Sequence, residues 1–524
     1  MSVRKKAIEV PDGEANAKES TRKKAVKLAR SRCTLWHARE NGPPQGYASF
    51  SVNGHEEHVE LRGTAGRLWL GGLIYRELGE ALSRQDLEGV IESLEATAIH
   101  DGPKKPIAIR VADLGDRIYL DLADESWRVV EVTASGWKVI PGDAAPVMFR
   151  RPNGTEALPD PVEGGSLNEL AVFIHSDAAG LTLAAAWLVA AYTDRGPAPV
   201  ASLAGQQGSA KSSATRVFQR LVDPRGGSLR AAPKNDENLA VAARNSWVVS
   251  FDNLSRIGGD LADGFCRLST GASFATRTLF TNGDETIFSA RRPVILNSIV
   301  DIVSRPDLLD RAVTIPLLKI SDDQRIEESE FWPAFERARP RLLGAALTAL
   351  SGALFRWSTT TTDRKPRMAD FYRLALAAGP DLPGGVEAFK SAWEAMQDVA
   401  VGTALEASPI GSPLLNLLEA RGKWKAPAAE LLRQLNAARP LGVSDEGWPR
   451  TSSGLSCALR RLAPALASRG WHVELGLKNT TAAHERLVVI VSADAMSERA
   501  AILQVNAGMS QAEAEQKAAM EAAS

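Results

Sequence analysis

The sequence predicts an α/β protein in three folded parts, and three stretches predict it. From Pro199 to Leu221 a short apolar run, Val200 to Ala204, meets a glycine-rich turn and then a helical pattern. From Trp247 to Phe251 a second apolar run ends in Asp252. From about residue 408 to 492 three helical patterns precede two runs, GWHVELGLKN and ERLVVIV, that read as a hairpin. The middle of the chain is therefore expected to hold a sheet with its helices. A mixed α+β part precedes it and a helix-and-hairpin part follows.

Length and composition bound the rest. The 524 residues suggest two to four domains, and 44% hydrophobic with 24% charged residues is ordinary composition for a globular protein. A net charge of −1 carries no global basic signal, so any nucleic-acid surface must be local. Cys33, Cys266 and Cys457 are far apart and form no CxxC pair, so they read as free thiols of a reducing cytoplasm. The basic opening is not followed by an apolar core, and no export signal is expected. Ala178 to Ala191, the most apolar helix-like run, is too short to span a bilayer and is expected to be buried.

Residues 1–44, with RKK at 4–6 and 22–24, read as a basic flexible arm, with DNA contact as the sharper alternative. Residues 45–151 read as an α+β domain of unassigned role, with helices over Leu68–Leu82 and Asp86–Thr97 and short strands beyond. Asp121 and Asp124 are spaced by three, which does not suit a two-metal site, and read as surface charge at a strand end. His55 and His58 do not make an HExxH pattern and read as exposed loop residues. The Pro- and Gly-rich 152–166 reads as an interdomain linker, followed by a core over 167–320 and a helical lid over 321–405.

The strand–turn–helix at 199–221 carries phosphate chemistry. The residues Gly205, Gln206, Gln207, Gly208, Ser209, Ala210, Lys211, Ser212 and Ser213 run close to G-x-x-x-x-G-K-[ST]. Backbone N–H groups of such a loop cradle phosphates, and the helix that opens at Ser212 adds its positive end. Lys211 would meet the phosphate charge of ATP, and the Ser212 hydroxyl would hold Mg²⁺. Ala210 stands where the last glycine is expected; a small side chain at negative φ would still let the loop close. Asp252 is the acid that would share the Mg²⁺. The next position, commonly an acid that orients the attacking water, is Asn253, and an amide positions water without accepting its proton.

Further on, Phe274–Thr281 and Thr286–Ser289 flank NGDE, a hairpin turn signal. Pro293–Leu296 reads as a buried strand closed by Asn297. If that strand lies between those of the loop and Asp252, its polar end reaches the γ-phosphate or the attacking water. RPDLLDR (305–311) puts Arg305 and Arg311 on a short helix.

This ordered set resembles the AAA+ helicases of superfamily 3, and within them the ATPases of phage, prophage and plasmid replication proteins, over roughly residues 165–400. The resemblance implies a P-loop ATPase core with Asn297 as sensor 1 and Arg311 as an arginine finger acting on a neighbouring subunit's nucleotide. It also implies a ring of six subunits around single-stranded DNA, with the 265–292 hairpin lining the channel. The hairpin tip is acidic, so Arg277, Arg291 and Arg292 on its flanks are the candidate DNA contacts.

In the last folded part, 406–495, the order of three helices and a two-stranded wing is that of a winged helix, which closes many helicases of this kind. Arg450, Arg460 and Arg461 lie on or before its third helix, where a recognition helix would meet duplex DNA. Eleven Lys/Arg against six acids over 415–490 favour phosphate attraction, with protein docking as the alternative. Residues 496–524 read as a helical tail. The expected activity is ATP-dependent DNA translocation or unwinding in mobile-element replication. The rival, kept open by Asn253, is a nucleotide-gated DNA-binding switch that hydrolyses little ATP.

Overall fold

The computed structural model describes residues 20–39, 42–254, 257–277, 285–298, 305–362, 364–440, 447–478 and 486–494, with 515, 517 and 518 of the tail. The chain divides into two compact units. The first comprises the residues up to Ala108 with Glu125–Trp127 and Pro141–Arg150; the second holds Ile109–Asp124, Arg128–Ile140 and the chain from Arg151 onward.

The first described element of the first unit is the helix Thr21–Arg32, capped by the Ser20 side chain. The strands Thr34–Ala38, Gln45–Val52 and His55–Glu60 follow as an antiparallel meander. Helices Thr64–Leu78 and Arg84–His100 complete a core of Ala25, Ala29, Ala48, Leu70, Val90 and Leu94. Of the expected flexible arm, residues 1–19 and 40–41 lie outside the described residues, and Thr21–Ala38 is folded structure, because Ala25 and Ala29 let the helix lie close against that core. His58 is likewise no loop residue. It sits buried in a strand, its Nδ1 2.7 Å from Ser49 Oγ and its ring edge-on to Trp36 and Trp127.

In the second unit, strands Val111–Asp113, Ile118–Asp121, Arg128–Thr133 and Gly136–Pro141 form a four-stranded sheet. Asp121 is buried, not surface charge, because Arg151 pairs with both of its carboxylate oxygens, at 3.0 and 2.6 Å. The expected linker is a fixed strap. Leu158 is buried and its N–H donates to Leu122 O, the Val162 N–H donates to Pro340 O, and Gly165 lies against Arg341 O.

The helix Ala178–Ala190 is buried on nearly all sides, as its uniform apolarity predicts. Beside it lies a parallel sheet in the order Val249–Leu254, Val294–Ser298, Val200–Ala204, Ala312–Pro316. These strands read as continuous apolar runs because helices cover both faces. The helices Glu328–Arg356, Ala369–Ala378 and Gly385–Ala407 extend the same core, and Phe371, Tyr372, Phe389 and Trp393 pack there as a buried aromatic group.

The C-terminal part runs helix Gly411–Arg421, strand Trp424–Pro427, helices Ala428–Ala437 and Ser452–Ser468, then strands Trp471–Lys478 and Arg486–Ser492. Its sheet has three strands, because Trp424–Pro427 pairs with Arg486–Ser492, where the sequence suggests only the hairpin. Its apolar residues Leu414, Leu431, Leu455 and Ile490 belong to one buried cluster with Val249, Phe251 and Leu296 of the parallel sheet. No helix among the described residues is long and apolar enough to cross a membrane.

Candidate functional site

The site forms at the carboxyl edge of the parallel sheet. Three strand ends, at Ala204, Asp252 and Asn297, meet the helix Lys211–Val222 there. In register, Leu203 faces Asn297 and Phe251 faces Leu296. The strand carrying Asn297 therefore separates the other two, the placement its polar end requires.

The loop itself is open to solvent. Gln206, Gln207, Gly208 and Ala210 are exposed, whereas Ser209 is buried and its Oγ donates to Gln206 O at 2.9 Å. Gly208 has φ +85° and Ala210 φ +53°. Ala210 thus occupies the left-handed region and not the negative φ expected of it. An L-residue there costs about 1–2 kcal/mol, which glycine would not incur. Lys211 Nζ donates to the carbonyls of Gly205 and Gln206, both at 2.7 Å. Burial pushes the Lys211 pKa below its ordinary value, and the charge of Asp252 opposes that shift.

Behind the loop runs a bonded set of side chains. Ser212 Oγ donates to Asp252 Oδ1 at 2.9 Å. Asn297 Nδ2 donates to Asp252 Oδ1 at 2.6 Å and to Thr215 Oγ1 at 2.7 Å, while its Oδ1 accepts from the Asn253 N–H at 2.7 Å. Asn297 is 2% exposed, so its amide is held by this set alone. The strand pairing shifts register between Phe251 and Leu254, and Asn253 turns to φ +55° with its residue exposed. A bulge at an acid re-aims side chains at a strand's end.

The arrangement can hold an anion and a cation together. Among the described residues, the only bond made by a loop N–H is from Ser209 to Gln206 O, which leaves the amides of Gln207, Gly208 and Ala210 for a ligand. Ser212 Oγ and Asp252 Oδ1 are hard oxygens about 3 Å apart, the separation of neighbouring ligands in an octahedron with ~2.1 Å bonds, which fits Mg²⁺. No cluster of three or more His, Cys, Asp or Glu suited to a metal occurs among the described residues. A cation here would thus need oxygens from its own ligand or water to complete its shell.

The remaining candidates are spread out. Arg311 lies at the opposite end of the sheet, where its carbonyl accepts from the Val200 N–H. Four strand residues, about 13 Å, separate that end from Ala204. Its guanidinium donates to Asp307 O and Cys266 Sγ. Arg305 pairs with Asp263 at 3.1 Å.

The hairpin forms from Ser273–Arg277 and Glu285–Ser289, with Arg277 opposite Glu285; its tip, including Asn282–Asp284, lies outside the described residues. Arg291 Nε is bonded to Asp194 at 2.7 Å, which raises its pKa. Arg292 donates to Ala243 O and lies over the Trp247 ring at 5.3 Å. Arg291 is thus tied to Asp194 beside the hairpin, and Arg292 to Ala243 and Trp247. In the C-terminal part, Arg450, Arg460 and Arg461 are exposed.

Two neighbours of the loop escaped the sequence reading. Thr215, fully buried, links Asn297 to the Lys211 carbonyl. Arg325 reaches the loop apex, its Nη2 within 3.5 Å of where a Gly208 Cβ would stand. The strap before it is tied down by Leu317 N–H to Ala204 O and Ile320 N–H to Gly208 O. Thr215 had a readable signal, four residues after Lys211 on the same helix face; Arg325, 117 positions from Gly208, had none.

Fold and site first define a class: a mixed α/β protein whose parallel sheet carries a glycine-rich loop, an acid and a buried amide at one edge. Residues 166–400 match the family described as the actinomycete integrative conjugative element replication protein, and residues 410–503 match the AICE RepA C-terminal domain. Over these two stretches the chain is similar to replication proteins of such elements. No curated protein matches it. Among solved structures, the apo C-terminal region of NrS-1 aligns over 89% of this chain and 98% of its own, at 12% identity and a TM-score of 0.39. JCV helicase with a bound small molecule aligns over 44% of this chain and 66% of its own, at 12% identity and a TM-score of 0.22. Likeness at this level has no bearing on activity.

Proposed function

We propose that this chain is an ATP-dependent DNA translocase or helicase of conjugative-element replication, working as a ring of subunits with ATP at their interfaces. The observation that carries the reading is the bonded set Ser212–Asp252–Asn297–Thr215 behind an open glycine-rich loop. On this reading the loop amides and Lys211 bind the β- and γ-phosphates, exchanging the Gly205 and Gln206 carbonyls for phosphate oxygens. Ser212 and Asp252 hold Mg²⁺, whose charge would screen the phosphates from one another. Asn297 keeps the Asp252 carboxylate aimed and positions the Asn253 backbone. Arg311, too far to serve its own loop, acts on the site of the adjacent subunit. The parallel α/β core reads as a P-loop AAA+ ATPase domain, and the C-terminal part as a winged helix whose Arg450, Arg460 and Arg461 meet duplex DNA. Its helix–strand–helix–helix–strand–strand order supports that assignment.

A second reading, a nucleotide-gated DNA-binding switch with little hydrolysis, is favoured by one observation: exposed Asn253 stands where a carboxylate would accept the water's proton. Steady-state ATPase with and without single-stranded DNA, together with strand displacement, separates the two. The helicase reading expects DNA-stimulated turnover and unwinding, both abolished in Lys211→Ala. A wild-type protein that binds ATP and DNA but neither hydrolyses nor unwinds would leave only the switch. Nucleotide binding unchanged in a well-folded Lys211→Ala would remove both.

A further inference from the structure

The first unit lies outside both family matches and outside the proposed ATPase and winged-helix roles. Its first described helix, Thr21–Arg32, holds Arg22, Lys23, Lys24, Lys27, Arg30 and Arg32 and not one acid in twelve residues. At 100° per residue, Lys23, Lys27 and Arg30 fall within a 60° arc, with Lys24 on its flank. Ala25 and Ala29 occupy the opposite side and are fully buried. The four ridge cations are exposed. At the margins of the helix, Arg22 donates to Gly89 O at 2.9 Å, and Arg32 pairs with Glu77 at 3.1 Å.

This arrangement works against the helix that carries it. Lys23 and Lys27 are like charges at i,i+4, and Lys27 and Arg30 at i,i+3, both destabilising spacings. Arg22, Lys23 and Lys24 sit in the first turn, where the helix dipole disfavours cations. A partner with closely spaced negative charge complements this arrangement.

We propose that the ridge Lys23–Lys24–Lys27–Arg30 is a contact surface for the phosphate backbone of duplex DNA. The ridge runs about 10 Å from Lys23 to Arg30 at ~1.5 Å per residue, enough to follow two or three phosphates of one strand at ~3.4 Å of axis each. Its cations are fixed on a packed core, which suits the regular phosphates of a duplex. Single-stranded DNA is held by stacking on aromatic side chains, and the ridge has none. Interfacial helices enter a membrane by an exposed apolar face, and here that face is buried in the unit's own core. Binding of this kind carries no sequence information and would add affinity and register to whatever the rest of the protein recognises.

The test uses the full chain and a 30-base-pair duplex of arbitrary sequence, titrated by fluorescence anisotropy between 50 and 200 mM salt. The variant K23Q/K24Q/K27Q/R30Q is compared with K23R/K24R/K27R/R30K, which keeps every charge. The glutamine variant is expected to flatten the slope of log K against log salt by about 0.9 for each phosphate it no longer neutralises, so by roughly 2–3. The charge-preserving variant is expected to keep the wild-type slope. The thermal midpoint serves as the folding control, since the four side chains are exposed. An unchanged slope in a folded glutamine variant would overturn the proposal. So would weakening confined to a 30-residue oligo-dT strand with duplex affinity retained. Because the readout is duplex affinity without nucleotide, it stands or falls apart from the ATPase reading.

Discussion

Ala210 and Asn253 both hold positive φ at the edge where the glycine-rich loop lies, and the expected effect of changing each follows from that. Ala210→Gly removes the left-handed penalty of alanine and is expected to stabilise the fold by about 1 kcal/mol, tempered by the greater freedom glycine has when unfolded. Urea denaturation measures it; reduced stability would mean the loop relaxes around alanine at no cost. At Asn253 the left-handed conformation suits Asn and Asp alike, so Asn253→Asp introduces a carboxylate without backbone strain. If the missing base limits hydrolysis, DNA-stimulated turnover rises. Full general-base assistance is worth roughly 10²–10⁴-fold, and an acid without a supporting shell recovers part of it. Turnover that stays flat or falls would mean another group already takes the proton.

Among the elements, the strap at 158–165 and the helix Glu328–Arg356 define each other. An added Cβ at Gly344 would overlap the Val162 carbonyl, whose own N–H is tied to Pro340 O. Gly344→Ala must push the strap off the helix and is expected to cost about 1–3 kcal/mol, read as a lowered denaturation midpoint. A neutral result would mean the strap is loosely held. Cys33, on the turn after the basic helix, tests the packing of the first unit. Burial raises its pKa from 9.0 to about 11. The folded state therefore keeps the proton that the unfolded chain releases. This contribution to stability is full below pH 9 and disappears as the pH climbs towards 11. In the folded protein at pH 9, exposed Cys457 should alkylate well before Cys33. Equal rates would contradict the packing around Cys33.

For the whole molecule, the sheet's length sets the question of assembly. Arg311 stands about 13 Å along the sheet from the end of the loop strand, so one chain cannot bring it to its own loop by side-chain rotation. Arg311→Ala is expected to bind nucleotide and fail to hydrolyse it. Mixed with Lys211→Ala, it should regain some activity at interfaces where an intact loop meets an intact Arg311. Mixtures shown to co-assemble yet remain inactive would count against shared sites. The continuous core between the parallel sheet and the C-terminal helices adds a constraint, for a C-terminal part that shares buried residues with the sheet is not an independent module.

Local order was legible in the residues themselves. The strand at Val200–Ala204, the helix from Lys211, the acid after Phe251 and Asn297 closing the next strand are each set by apolar runs broken at glycine or a polar residue. Helix Ala369–Ala378 and the buried helix at Ala178 were legible for the same reason, since periodicity and apolar length act within a few turns of chain. Tertiary structure alone decided the rest, because it depends on what a distant segment brings. Asp121 is buried only because Arg151 arrives to pair with it. Residues 158–165 are a strap only because a helix nearly two hundred residues later accepts them. Arg292 braces the core because Trp247 offers it a ring, and Ala210 takes its positive φ as the residue on which the loop turns into the helix Lys211–Val222.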